Sequence, residues 1–141
     1  MSTTVEGIDQ QHYFFVKTKT QTGEDRDLVF ISGTAHFVFQ GTGSNFVREE
    51  FTVDIGPHWR SIEHVAPMAA LATWQNLGPA VYAGAAVDWC KWTPTAVGPV
   101  DRKIRLHAQV GVSDSDGIVY RFAFSATAIG ILSPGQMPVG P

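Results

Sequence analysis

A titratable ring, an indole and a guanidinium stand in consecutive positions, His58, Trp59 and Arg60, directly after a Gly56-Pro57 break that ends a strand-like run. Polar and aromatic groups fixed at the end of a rigid strand are how many domains build a binding site. An indole in such a place stacks on a sugar ring or a lipid headgroup, because it pairs an apolar face with one N–H donor, or it anchors a subunit interface. Nowhere else does the chain set three such groups beside a break.

Asp88 is the candidate for catalysis. It lies in Val87-Asp88-Trp89-Cys90-Lys91-Trp92, a stretch otherwise poor in charge, and a carboxylate desolvated by indoles is raised in pKa as a general acid requires. The competing role is an ion pair with Lys91 or with an arginine on a neighbouring strand. Cys90 has no base beside it in sequence and fits a small buried hydrophobe. His58 and His64 with Glu63 do not follow a helical zinc spacing, and His36 and His107 fall on polar strand faces, so no metal or cofactor is expected. Gly41-Thr42-Gly43-Ser44 lacks the lysine and following helix of a phosphate loop and is expected to be a hairpin turn. Asp114-Ser115-Asp116-Gly117 lacks the third acid and distal glutamate of a calcium loop.

The elements that would position these residues alternate with period two. Residues 28–40 set Val29, Ile31, Gly33, Ala35, Phe37 and Phe39 against Ser32, Thr34, His36 and Gln40. Residues 46–55 and 103–112 repeat the pattern, apolar on one face and polar on the other, which is the habit of half-buried antiparallel strands. Residues 80–92 and 117–132 are apolar or small on both faces, as central strands or subunit-facing strands are. Residues 60–76 form the expected helix, capped by Ser61 and shortened by Pro67. The fold expected is mainly antiparallel β: one domain over 1–141, a sandwich or barrel of six or more strands with one short mid-chain helix. An N-terminal arm (1–11) and an irregular tail (133–141) flank it.

Charged residues make up only 16% of the chain, which leaves apolar surface for other subunits to cover and predicts a homo-oligomer. A net charge of −3 gives no basic footprint for nucleic acid. Polar Gln75 and Asn76 and Pro67 and Pro79 interrupt the most apolar stretch, so no transmembrane helix is expected. One cysteine excludes an intrachain disulfide, and the polar start lacks a signal peptide, which predicts a cytoplasmic protein.

Ser32-Gly33-Thr34, a strand containing Phe37, and Phe51-Thr52-Val53 leading to Gly56-Pro57-His58-Trp59 together resemble the fungal fruit-body lectins and their actinoporin-type relatives. In both, a strand of a β-sandwich runs into a Gly-x-His-Asn or Asn-Trp stretch and a short helix. The resemblance spans about a quarter of the chain, and residues 80–92 resemble neither family. It implies sugar contacts at Ser32, Gly33 and His58, with Trp59 standing where the lectin motif has asparagine. The leading expectation is a non-catalytic, oligomeric module binding carbohydrate or a lipid headgroup through Ser32, Gly33, His58, Trp59 and Arg60. The alternatives are a small barrel isomerase or cyclase, whose cavity for a hydrophobic ligand is lined by Phe122, Phe124, Trp89 and Trp92 with Asp88 moving a proton, and a self-assembling structural subunit.

Overall fold

The computed structural model describes residues 2–42, 46–76, 84–113 and 117–136. These form seven strands: β1 (Ser2–Thr4), β2 (Gly7–Lys19), β3 (Asp25–Gln40), β4 (Phe46–Asn76), β5 (Gly84–Ala96), β6 (Arg102–Ser113) and β7 (Gly117–Leu132). They join in one open, mainly antiparallel sheet of order β2-β3-β7-β4-β6-β5, with β1 added parallel to β4. Residues expected in an N-terminal arm therefore lie in the sheet. The described part of the expected tail is tied down by Ser133, whose N–H donates to the His58 carbonyl at 3.0 Å.

The long β4 organises the molecule. Up to Ile55, and once more at Trp59, it pairs with β6, and from Trp59 onward it pairs with β7. The two halves thus belong to different parts of the sheet and meet at Trp59. The register breaks between Ile55 and Trp59, where Gly56 adopts φ 83°, a left-handed conformation that glycine accepts without a Cβ penalty. The bend folds the sheet over one core. Phe37 of β3 meets Phe51 of β4 with ring centroids 4.2 Å apart, although those strand segments are not paired. Val29, Ile31, Ile55, Trp59, Ile104, Leu106, Val110 and Phe122 fill the interior from four strands. Each such side chain contributes about 1.5–3 kcal/mol by leaving water.

The alternation expected for 28–40, 46–55 and 103–112 is realised, with Val29, Ile31, Ala35, Phe37, Phe51, Val53, Ile55, Ile104, Leu106, Ala108, Val110 and Val112 inward. The expected helix over 60–76 is absent, and no helix occurs among the described residues. Its alanines, leucine and methionine are good helix formers, but they also alternate. Val65 is buried and Ala69 and Leu71 face the core, while Ala66, Met68, Ala70 and Ala72 face out. Pairing with β7 overrides the propensity. Among the described residues this half of β4 is paired on one side only, the setting in which a strand tolerates Pro67.

Of the two stretches expected to be central or subunit-facing, the described part of 80–92 lies in β5, which ends the sheet and so is not central, whereas β7 lies between β3 and β4. Val81 and Tyr82, and the acidic turn residues Asp114, Ser115 and Asp116, lie outside the described residues. Gly43 and Ser44 of the expected hairpin turn also lie outside the described residues; the strands on either side, β3 and β4, are not neighbours in the sheet. No helix is long and apolar enough to cross a membrane among the described residues.

Candidate functional site

The segment 51–65 is the bend itself. The Gly56 N–H donates to Gln11 Oε1 of β2 at 2.8 Å, and both Gly56 and Pro57 are buried. His58 is half-buried, its N–H donating to Gln136 Oε1 at 2.8 Å. Trp59 is wholly buried, and its indole N–H has no partner among the described residues. Arg60 is exposed and donates from Nε to Asp101 Oδ1 at 2.8 Å, the same oxygen that accepts from Ser133 Oγ at 2.7 Å. The Ser133 hydrogen bond, with Arg60 added and against some desolvation, holds the Asp101 carboxyl below the usual carboxylate range. Consecutive residues thus point to the chain's C-terminal segment, to the core and to the surface.

Ser32 and Gly33 occupy opposite faces of β3. Ser32 is exposed and pairs with His12 and Ser125, whereas a Cβ on Gly33 would run 2.7 Å from the Phe124 ring in the interior. The structure does not bring Ser32, Gly33, His58, Trp59 and Arg60 to one surface. The four residues expected to line a chamber also diverge. Phe122 and Phe124 are in the core, Trp92 packs against its edge, and Trp89 is exposed.

Asp88 sits at an irregularity between Val87 and Trp89, where the β5–β6 register shifts. Its Oδ2 accepts from Arg48 Nε at 2.8 Å, an ion pair that reaches from β4 across the intervening β6, so the arginine partner lies one strand beyond the neighbouring strand expected. Arg48 also lies 4.7 Å from the centre of the Phe46 ring, so it is held from two sides. Cys90 faces inward opposite Ala108, and burial pushes its thiol up to about 11.

Arg48, the partner of Asp88, lines a groove of about 620 Å³ together with Glu49 and Glu50 of β4, Gln109 of β6, Trp89 and Lys91 of β5, and Phe39 of β3. The pairing register assembles it: Trp89, Gln109 and Glu50 stand in one row across the strands, and Lys91, His107 and Thr52 in the next. Trp89 is 36% exposed, with the Lys91 ammonium 4.8 Å over one face of its ring. The groove therefore offers an indole, an amide, carboxylates and cations in one strip.

His107 lies beside the groove, with Nε2 2.8 Å from Thr93 Oγ1 and Nδ1 3.3 Å from Glu50 Oε1. The order carboxylate, imidazole, hydroxyl is that of a nucleophile relay. A relay needs the carboxylate bonded to Nδ1 to fix the tautomer, and here Nδ1 forms no hydrogen bond despite the short distance. The set is a polar floor. A second cluster joins Asp9 to His36 at 2.7 Å and to Arg121 at 3.0 Å beside a depression of about 240 Å³. No group of three His, Cys, Asp or Glu side chains converges as a metal site among the described residues.

Sequence reasoning placed Arg48, Glu50, His107 and Gln109 on polar strand faces but did not join them to Trp89. The signal was present in the two alternating patterns. What joins them is the register of three strands, which the patterns do not specify.

No family model matches the chain, and neither the curated proteins nor the solved structures hold a match to it.

Proposed function

We propose that this protein is a non-catalytic binding module that takes a carbohydrate in the groove beside Trp89. One observation carries the reading: an exposed indole stands in an open groove among Gln109, Glu50, Arg48 and Lys91. Sugars present weakly apolar C–H faces ringed by hydroxyls, and an indole flanked by planar amide, carboxylate and guanidinium groups matches both features. The site sits where β4, β6 and β5 lie side by side in the open sheet. Oligomerisation would let several weak sites act together.

Ser32, Gly33 and His58, the residues that the lectin resemblance implies, do not gather at this groove, so the proposal rests on Trp89 and its neighbours. The test is a glycan array followed by calorimetric titration of each ligand found, with liposomes run beside it. Trp89→Ala is expected to weaken glycan binding about tenfold or more, about 1.4 kcal/mol, with thermal stability unchanged. An empty array, or wild-type affinity in Trp89→Ala, would sink the reading. Binding to liposomes alone would move it to a lipid headgroup.

A further inference from the structure

We propose that a second copy of this chain pairs with the free side of β4 over residues 65–75. The pairing is antiparallel across a two-fold axis and joins the β2-β3-β7-β4 parts of two protomers into one sheet. Beyond the bend, β4 hydrogen-bonds to β7 along one side, and no strand among the described residues lies along the other. A strand side left open presents a row of backbone donors and acceptors that template another chain.

Other open sides in this protein carry the charges that oppose such pairing. Strand β2 has Asp9, Lys17 and Lys19, and β5 has Asp88 and Lys91. Residues 65–75 of β4 contain no Asp, Glu, Lys, Arg or His; Pro67 and the register irregularities between Leu71 and Trp74 are the features there that resist pairing. The absence of charge selects the occupant. Across a two-fold, every side chain near the axis meets the same short set from its own copy, so a charge there would face a like charge at close range. A foreign strand imposes no such condition, since it can be matched with opposite charges. An uncharged span is what self-pairing requires.

The side chains agree with this. Ala66, Ala70 and Ala72 are small and exposed, and Met68 is 69% exposed beside a shallow depression of about 160 Å³ formed with Ala70, Ala123 and Ser125. Next to Ala66, Met68 and Ala70 the adjoining outer surface is uncharged through Ala123, Ser125 and Thr127 of β7, and the charge that β7 sets beside the span, Arg121 opposite Thr73, is ion-paired with Asp9 within the protomer.

Sedimentation velocity over a concentration series, with hydrogen exchange read on peptides covering 65–75, tests the proposal on the full chain. Wild type is expected to dimerise and to protect those amides as it does so. Ala70→Lys should raise the dimer dissociation constant at least tenfold, and mixing it with Ala70→Glu should restore association. Circular dichroism and the melting temperature check that these variants fold, and Met68→Asp serves as the second site if Ala70→Lys does not. A wild-type monomer at high concentration would overturn the proposal. So would a dimer whose 65–75 amides exchange as fast as the monomer's, or one that Ala70→Lys or Met68→Asp leaves intact.

Discussion

Gln11 of β2 accepts the backbone N–H of Gly56 through its side-chain carbonyl at 2.8 Å, and so ties the first long strand to the bend of β4. The bend interrupts the ladder, and an N–H left without a ladder partner in the interior must find another acceptor. Gln11 supplies it from a strand that does not pair with β4. Gln11→Ala removes the acceptor and should destabilise the fold by about 1–3 kcal/mol, the cost of an unsatisfied buried donor. Gly56→Ala adds a Cβ at φ 83° that would meet Ile31 Cδ1 at 2.8 Å. The left-handed backbone alone costs a residue with a Cβ about 1–2 kcal/mol, and the clash adds to that. Urea denaturation checks both. A Gly56→Ala protein as stable as wild type would mean that the bend relaxes freely.

How much of this was legible can be read at particular residues. Alternation placed Phe37, Phe51, Leu106 and Val110 inward because a half-buried strand needs nothing beyond its own pattern to declare its faces. The same test failed at 60–76, where alanine, leucine and methionine suit a helix as well as a strand, and only β7 alongside decides between them. Gly56-Pro57 was legible as a break but not as an interior one. A positive-φ glycine followed by proline reads alike at a rim and at a bend, and burial of Trp59 depends on what folds over it. The groove escaped because Glu50, Gln109 and Trp89 come from three strands, and their alignment is a matter of register.

Trp59 combines full burial with an indole N–H that has no partner among the described residues. Trp59→Ala should cost about 3–5 kcal/mol through lost burial and a cavity at the bend. Trp59→Phe removes the unsatisfied donor together with part of the ring, and these effects oppose each other. Relief of an unpaired buried N–H returns about 1–3 kcal/mol. The phenylalanine variant should therefore lie within about 1 kcal/mol of wild type, a much smaller loss than for alanine. Equal losses in chemical denaturation would show that the N–H carries no penalty.

Cys90 should resist alkylation. With the thiol pushed up to about 11 by burial, roughly 1 in 1,000 molecules carries the thiolate at pH 8, on the order of a hundredfold fewer than for an unperturbed thiol. A more basic thiolate is intrinsically the better nucleophile, which returns roughly tenfold. The net expectation is iodoacetamide labelling about tenfold slower than for a free thiol peptide, and slower again through restricted access. Labelling at the peptide's rate in native buffer would contradict the buried position, and unfolding in urea should restore that rate.

Asp101 joins Arg60 at the end of the bend to Ser133 beyond β7, and it should give part of the stability its acid dependence. Its carboxyl is held below the ordinary carboxylate value, first by the Ser133 hydroxyl and then by Arg60. The unfolded chain therefore binds the proton more readily than the folded one. The stabilisation is fully present above the unfolded value near pH 4 and is lost as pH falls through the lower folded value. Asp101→Asn removes the charge while keeping an oxygen for Ser133. Its melting temperature should fall below wild type at about pH 7, and the gap should narrow as pH falls through the lowered folded value, where the aspartate takes up its proton. Asp9→Asn is the matched control. There desolvation is the largest single influence and raises the carboxyl, but hydrogen bonds from His36 and Arg121 outweigh it and leave Asp9 lowered as well. The Asp9 gap should close over the same acid range while leaving the Arg60–Ser133 connection untouched. A gap for Asp101→Asn that stays constant from neutral pH to about pH 2 would assign its cost to packing instead of charge.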